Sequence, residues 1–180
     1  MWLPRFLRTI ASAHCAAWLQ SGRPQGRWGR TQVPVTYVVL NQGSLVLELW
    51  TGVVAHEEVL THERQHVSDA SIARGVFVLV DATGASFETT TESVHEVTDL
   101  YRRSIEKLRV GKAALLVNEA TYDRARIYEK QSRDHGLRVI LFNSLDVASA
   151  WVGVDVTRAR EAFEQLRSCI PGVGAVTPPT

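Results

Sequence analysis

Residues 75–108 place the tightest constraint on this chain. They open with Val76-Phe77-Val78-Leu79-Val80, an unbroken apolar run rich in β-branched residues. Such a run reads as a central strand buried on both faces. Asp81-Ala82-Thr83-Gly84-Ala85-Ser86 follows, then Thr89-Thr90-Thr91-Glu92, then a stretch with Val94, Val97, Tyr101, Ile105 and Leu108 at helical spacing. Open α/β sheets place their working groups at strand C-termini and helix N-termini. The first place to expect a site is therefore the segment 81–91, on a loop between strand and helix.

The flanking sequence supplies the rest of a sheet. Runs at 35–40 and 45–50 read as two strands of a hairpin around Asn41-Gln42-Gly43-Ser44, where Asn and Gly supply positive φ. Leu45, Leu47 and Leu49 alternate with Ser44, Val46 and Glu48, so one face, that of the leucines, is expected in the core. A helix is expected over about 55–73, with His56, Val59, Leu60, Glu63, Val67 and Ala70 on one side. Further on, 112–118 reads as a buried strand. Asn118 or Thr121 is positioned to cap a helix carrying Tyr122, Ala125, Ile127, Tyr128 and Gln131, which His135-Gly136 ends. A strand at 137–142 follows. Ser144 is positioned to cap a short helix with Val147, Ala148 and Trp151 turned inward, which Gly153 breaks. Asp155 or Thr157 starts a last helix carrying Ala159, Ala162, Phe163 and Leu166. The fold class is α/β: a mixed five-stranded sheet opened by a β-hairpin, then βα units whose helices cover the sheet.

Composition refines the domain plan. Of the 20 Lys+Arg, five arginines lie in residues 1–33 beside no acid, so the remaining 15 stand against all 19 Asp+Glu, a net of −4. Such a body lacks the basic stripe of a nucleic-acid binder. Residues 1–32 could lie on an anionic membrane through Trp2, Leu3, Phe6, Leu7 and Ile10, with contact centred on residues 1–20. The favoured reading is a basic, loosely held N-terminal extension. Residues 33–170 form the domain, and the Pro/Gly-rich residues 171–180 read as a disordered tail. Cys15 and Cys169 are too few for a disulfide framework and fit a reducing, cytoplasmic setting. No apolar run approaches the ~20 residues of a membrane span.

The element order, the segment Val78-Leu79-Val80-Asp81-Ala82-Thr83-Gly84-Ala85-Ser86-Phe87 and the closing Asn143-Ser144-Leu145-Asp146-Val147-Ala148-Ser149-Ala150-Trp151 resemble the STAS (anti-sigma-factor-antagonist) family. They also resemble its SpoIIAA-like and STAS/SEC14-type relatives. The resemblance spans about residues 35–153. It implies a STAS-like fold, a regulatory role without catalysis or cofactor, and a protein partner such as a kinase or an anti-sigma-like protein. Asp81, Thr83 and Gly84 match the family's Asp-x-Ser/Thr-Gly element, and counting onward puts Thr90 at its phosphoacceptor position. Thr89 and Glu92 stand where that family has Asp and Gly.

Two residue patterns compete with that reading. Thr89, Thr90 and Thr91 precede a helix and need do no more than cap it, although a phosphate there would meet free N–H groups. His62-Glu63-Arg64-Gln65-His66 matches H-E-x-x-H, in which two imidazoles one helical turn apart chelate zinc and the Glu activates water. On the apolar-residue wheel His62 points away from the core and His66 lies at its edge. Glu92, His95 and Glu96 are only loose candidates for a third ligand, so the favoured reading is a solvated face.

The expectation is thus a soluble, non-catalytic regulatory domain that docks a protein partner around Asp81, Thr83, Gly84, Ser86, Thr90 and Thr91. One alternative is a lipid or small apolar ligand bound between helices and sheet. The other is zinc hydrolysis through His62, Glu63 and His66.

Overall fold

A computed structural model describes residues 35–88, 91–104, 110–134 and 137–170. The expectations for residues 1–32, Thr89, Thr90, Ile105, Leu108, His135-Gly136 and 171–180 lie outside these residues. The elements are β1 (Val35–Leu40), β2 (Leu45–Ala55), α1 (His56–Ser68), β3 (Phe77–Glu88), α2 (Thr91–Arg103), β4 (Lys112–Leu116), α3 (Glu119–Asp134), β5 (Val139–Phe142), α4 (Leu145–Val152) and α5 (Val156–Ser168). The sheet runs in the order β1-β2-β3-β4-β5. β1 and β2 are antiparallel, and the other neighbours are parallel. The expected α/β class with its opening hairpin is the one observed. Among the described residues no helix is long and apolar enough to cross a membrane.

The hairpin register pairs Leu40 with Leu45 and Tyr37 with Glu48. Its turn takes positive φ at Asn41, Gln42 and Gly43. Helices cover both sheet faces. Val46, Trp50, Val78, Val80 and Val139 pack toward α1, α2 and α3. Leu47, Leu49, Leu79 and Leu116 pack toward α4 and α5, against Ala148, Val152 and Phe163. The single core face expected for β2 is therefore corrected: both faces are buried, and Glu48 is only 3% exposed.

Three element boundaries and two side chains differ from expectation. β3 does not stop at Val80. β2 runs on to Ala55 past a register shift between Leu49 and Thr51, and it offers Gly84, Ala85 and Ser86 a parallel partner at Thr51, Gly52 and Val53. Turn-type composition yields to that ladder, and Ala82 and Ala85 are buried in it. α1 ends at Ser68 rather than near Ala73, because Asp69 turns the chain by accepting the Ser71 backbone N–H at 2.8 Å. α2 is described over Thr91–Arg103. Tyr122 and Val147, expected to face inward, are exposed.

Caps fall where the polar residues predicted them. Asn118 Oδ1 accepts the Thr121 N–H at 2.9 Å, and Thr121 Oγ1 accepts the Asn118 N–H at 3.0 Å. Asp155 accepts the Arg158 N–H at 3.0 Å at the start of α5. Ser144 occupies the cap position of α4 without a side-chain cap bond, and Gly153 closes that helix at φ +79°.

Candidate functional site: a buried carboxylate–imidazole cluster beside a cavity

Strand alternation aims Glu48 between Val46 and Trp50, toward α1. Four-residue spacing puts His62 and His66 on one side of that helix. The three side chains meet out of solvent, with His62 4% and His66 1% exposed. His62 Nε2 lies 3.0 Å from Glu48 Oε2, and His66 Nε2 lies 3.3 Å from Glu48 Oε1. Trp50 Nε1 donates to Glu48 Oε2 at 2.9 Å. Tyr37, directly across the hairpin from Glu48, stands edge-on to both imidazoles at centroid distances of 5.5 and 4.9 Å. Its hydroxyl donates to Asp69 Oδ2 at 2.8 Å.

The charge state follows from burial and pairing. Burial alone would push the Glu48 carboxyl up. The neighbouring His62 and His66 imidazoles, with hydrogen bonds from His62 and Trp50, overcome it and hold Glu48 at about 2. Burial would likewise push His62 down, but Glu48 outweighs it and His62 stands above its ordinary value. His66 is different: neither ring nitrogen makes a hydrogen bond within the protein, close as Glu48 is. Burial of an imidazole is costly unless its nitrogens find partners.

Glu63, the middle residue of the H-E-x-x-H string, is also buried and accepts a hydrogen bond from the Tyr101 hydroxyl. Burial pushes its carboxyl up, and the nearby Glu48 adds to that against the two imidazoles. Glu48, Trp50, Glu63 and Tyr101 form polar parts of the wall of a cavity of about 100 Å³ between the sheet and α1, α2 and α3. Val78, Val80, Val97, Ala113, Tyr128 and Val139 supply much of its apolar wall.

The expected solvated face of α1 is thus corrected: His62 and His66 point into the core. The expected inner side of α1, drawn through His56, Val59, Leu60, Glu63, Val67 and Ala70, held Glu63 but left out His62 and His66, because three of the five buried positions on the helix (His62, Glu63 and His66) are polar. The third candidate ligand is Glu48, which sequence reasoning placed on the non-core side. Its signal was a lone acid inside the otherwise apolar run Leu45–Trp50. Glu92, His95 and Glu96 are exposed on α2, and Glu96 accepts from or donates to no cluster member but meets His56 Nε2 at 2.7 Å.

Among the described residues, Asp81, Thr83, Gly84 and Ser86 of the expected loop lie apart from this cluster. Asp81 is buried and pairs with Arg167 of α5, on the opposite sheet face. Its other oxygen accepts the Thr83 N–H at 3.1 Å and the Thr83 hydroxyl at 2.6 Å. Gly84 and Ser86 lie in β3, paired with Thr51 and Val53. Thr91 is the first residue of α2.

No family model matches the chain, and no curated protein matches its sequence. Among solved structures it is similar to an uncharacterised protein of the DUF3478 family from Shewanella loihica, described as having a SpoIIAA-like fold. The two are 11% identical, the match covers 71% of this chain and 99% of that one, and the TM-score is 0.47.

Proposed function

We propose that this is a non-catalytic, STAS-type regulatory domain that binds a small, largely apolar ligand between its sheet and α1–α3. The observation that carries this reading is the cavity of about 100 Å³ beside buried polar groups. Protein interiors pack like organic crystals, with few voids larger than a water molecule. An engineered apolar cavity of roughly 150 Å³ takes up benzene. A space of this size suits a ring or a short branched chain rather than a long acyl tail. Glu48, Glu63 and Tyr101 give such a ligand polar groups to orient against.

Occupancy has a route to a protein partner. Val94 and Val97 of α2 line the cavity, while Glu92, His95, Glu96, Arg102 and Arg103 of the same helix are exposed. A ligand that repacks the inner side of α2 would shift the charged outer side that a partner meets.

The test uses benzene and indole as probes in heteronuclear NMR titrations of wild type and Ala113→Leu. Ala113 lines the cavity, and leucine would fill part of it. Saturable shifts confined to cavity residues in wild type, and lost in Ala113→Leu, support the reading. Identical responses of the two proteins overturn it.

A further inference from the structure

We propose that Glu48, His62 and His66 form a zinc-binding site. The three side chains offer two imidazole nitrogens and one carboxylate oxygen, all within 4.8 Å of one another. At zinc bond lengths of roughly 2.0–2.2 Å, the donors of a tetrahedral site stand roughly 3.3 Å apart. Each imidazole stands at about that spacing from one of the two Glu48 oxygens, His62 Nε2 3.0 Å from Oε2 and His66 Nε2 3.3 Å from Oε1. Drawing all three donors onto one ion requires the set to contract from its present span of up to 4.8 Å.

A purely structural ion pair explains part of the cluster. Glu48 and His62 satisfy one another, and Trp50 completes the carboxylate. It leaves His66 unexplained, the most deeply buried member, with both ring nitrogens lacking hydrogen bonds. A metal ion supplies the missing partner for one nitrogen, and it does so beside a carboxylate that balances charge. The Trp50–Glu48 hydrogen bond then acts as the outer-shell contact that orients a ligating carboxylate.

The surroundings favour four-coordinate zinc over other ions. Two imidazoles and a carboxylate also make the facial set of iron(II) oxygenases, which keeps three further positions open. Here Tyr37 lies edge-on to His62 and His66, and Trp50 lies edge-on to His62 at a centroid distance of 5.7 Å. Those rings pack against the imidazoles, and two imidazoles with one carboxylate are a donor set that four-coordinate zinc takes with one added ligand. A tetrahedral ion needs one added donor, water or a ligand group. Because Glu48 is part of the cavity wall, an ion beside it adjoins the cavity. The metal site itself does not rest on the apolar-ligand reading.

The experiment uses the full-length untagged protein, stripped with chelator and titrated with zinc chloride. Metal content after desalting is read by mass spectrometry, affinity by calorimetry, and geometry by the visible spectrum of the cobalt(II) form. The expected result is one zinc per chain, the intense visible bands of four-coordinate cobalt, and loss of both in His62→Ala and His66→Ala. Trp50→Phe keeps all three ligands and is expected to weaken zinc about ten- to a hundredfold. Circular dichroism of each stripped variant separates lost metal from lost fold. No stoichiometric zinc in wild type, or zinc retained by a folded His62→Ala/His66→Ala double variant, overturns the proposal. Ala113→Leu binds zinc like wild type if the proposal holds, so failure of the cavity reading shows separately.

Discussion

Arg167 of α5 forms an ion pair with Asp81 of β3, tying the last helix to the sheet at the residue that follows the apolar run Val76–Val80. Asp81 keeps a second anchor in the Thr83 hydroxyl and backbone N–H. The Arg167 side chain is 43% exposed, so solvent screens the pair and its worth is well below that of a buried one. Arg167→Ala is expected to cost about 1 kcal/mol, and Asp81→Ala more, because it also releases the Thr83 turn. Urea unfolding of the two variants checks the order. An Arg167→Ala loss as large as that of Asp81→Ala would show that the ion pair, not the turn, anchors Asp81.

Glycines separate steric from conformational demand. A Cβ at Gly43 would lie 2.3 Å from the Ser71 carbonyl oxygen and 2.8 Å from the Ala73 nitrogen, with φ at +91°. Gly153 has φ +79° and open space around the same position. Gly153→Ala is expected to cost about 1–2 kcal/mol from the left-handed backbone alone. Gly43→Ala adds a backbone collision where the hairpin turn meets the segment after α1, and is expected to cost roughly twice as much. Thermal unfolding of both variants reads the difference.

Much of the fold was legible because it rests on short-range pattern. The leucine alternation of β2, the Asn118 and Asp155 caps and the apolar run at the start of β3 each announce their element. The extension of β3 through Asp81–Glu88 was not legible, since a Gly- and Thr-containing segment becomes strand only when β2 supplies a partner. The site was half legible. H-E-x-x-H marked His62, Glu63 and His66, but their inward orientation depends on how α1 sits against the sheet. Glu48 joins them only through the β2–α1 packing, and nothing local in the sequence reports a contact across 14 residues.

The metal-free protein is expected to lose stability as pH rises. His62 stands above its ordinary 6.5, so its contribution is complete below 6.5 and fades as pH climbs through the raised value. Glu63 also stands above its ordinary 4.5, and burial of its carboxyl favours the protonated form, so it acts in the same direction above 4.5. Glu48 works oppositely: its contribution is present above 4.5 and is lost as pH falls toward about 2. Urea unfolding in chelator is expected to give highest stability near pH 5–6 and lower stability at pH 8. A flat profile over pH 5–8 would contradict charge pairing between His62 and Glu48.

The two buried glutamates are expected to answer neutralisation in opposite ways. Glu48 is ionised and faces two imidazoles, so Glu48→Gln strands a buried His62 charge. Breaking a buried pair from one side typically costs about 3–5 kcal/mol. Burial raises the Glu63 carboxyl, which accepts a hydrogen bond from the Tyr101 hydroxyl that a glutamine oxygen accepts equally well. Glu63→Gln is therefore expected to cost less than Glu48→Gln at pH 7, and Tyr101→Phe about 1–2 kcal/mol because the carboxyl loses its donor. Denaturant unfolding at pH 7 in chelator compares the three. If Glu63→Gln proves as damaging as Glu48→Gln, Glu63 carries a charge that the cluster uses, and its place beside the cavity would have to be read as that of an ionised group.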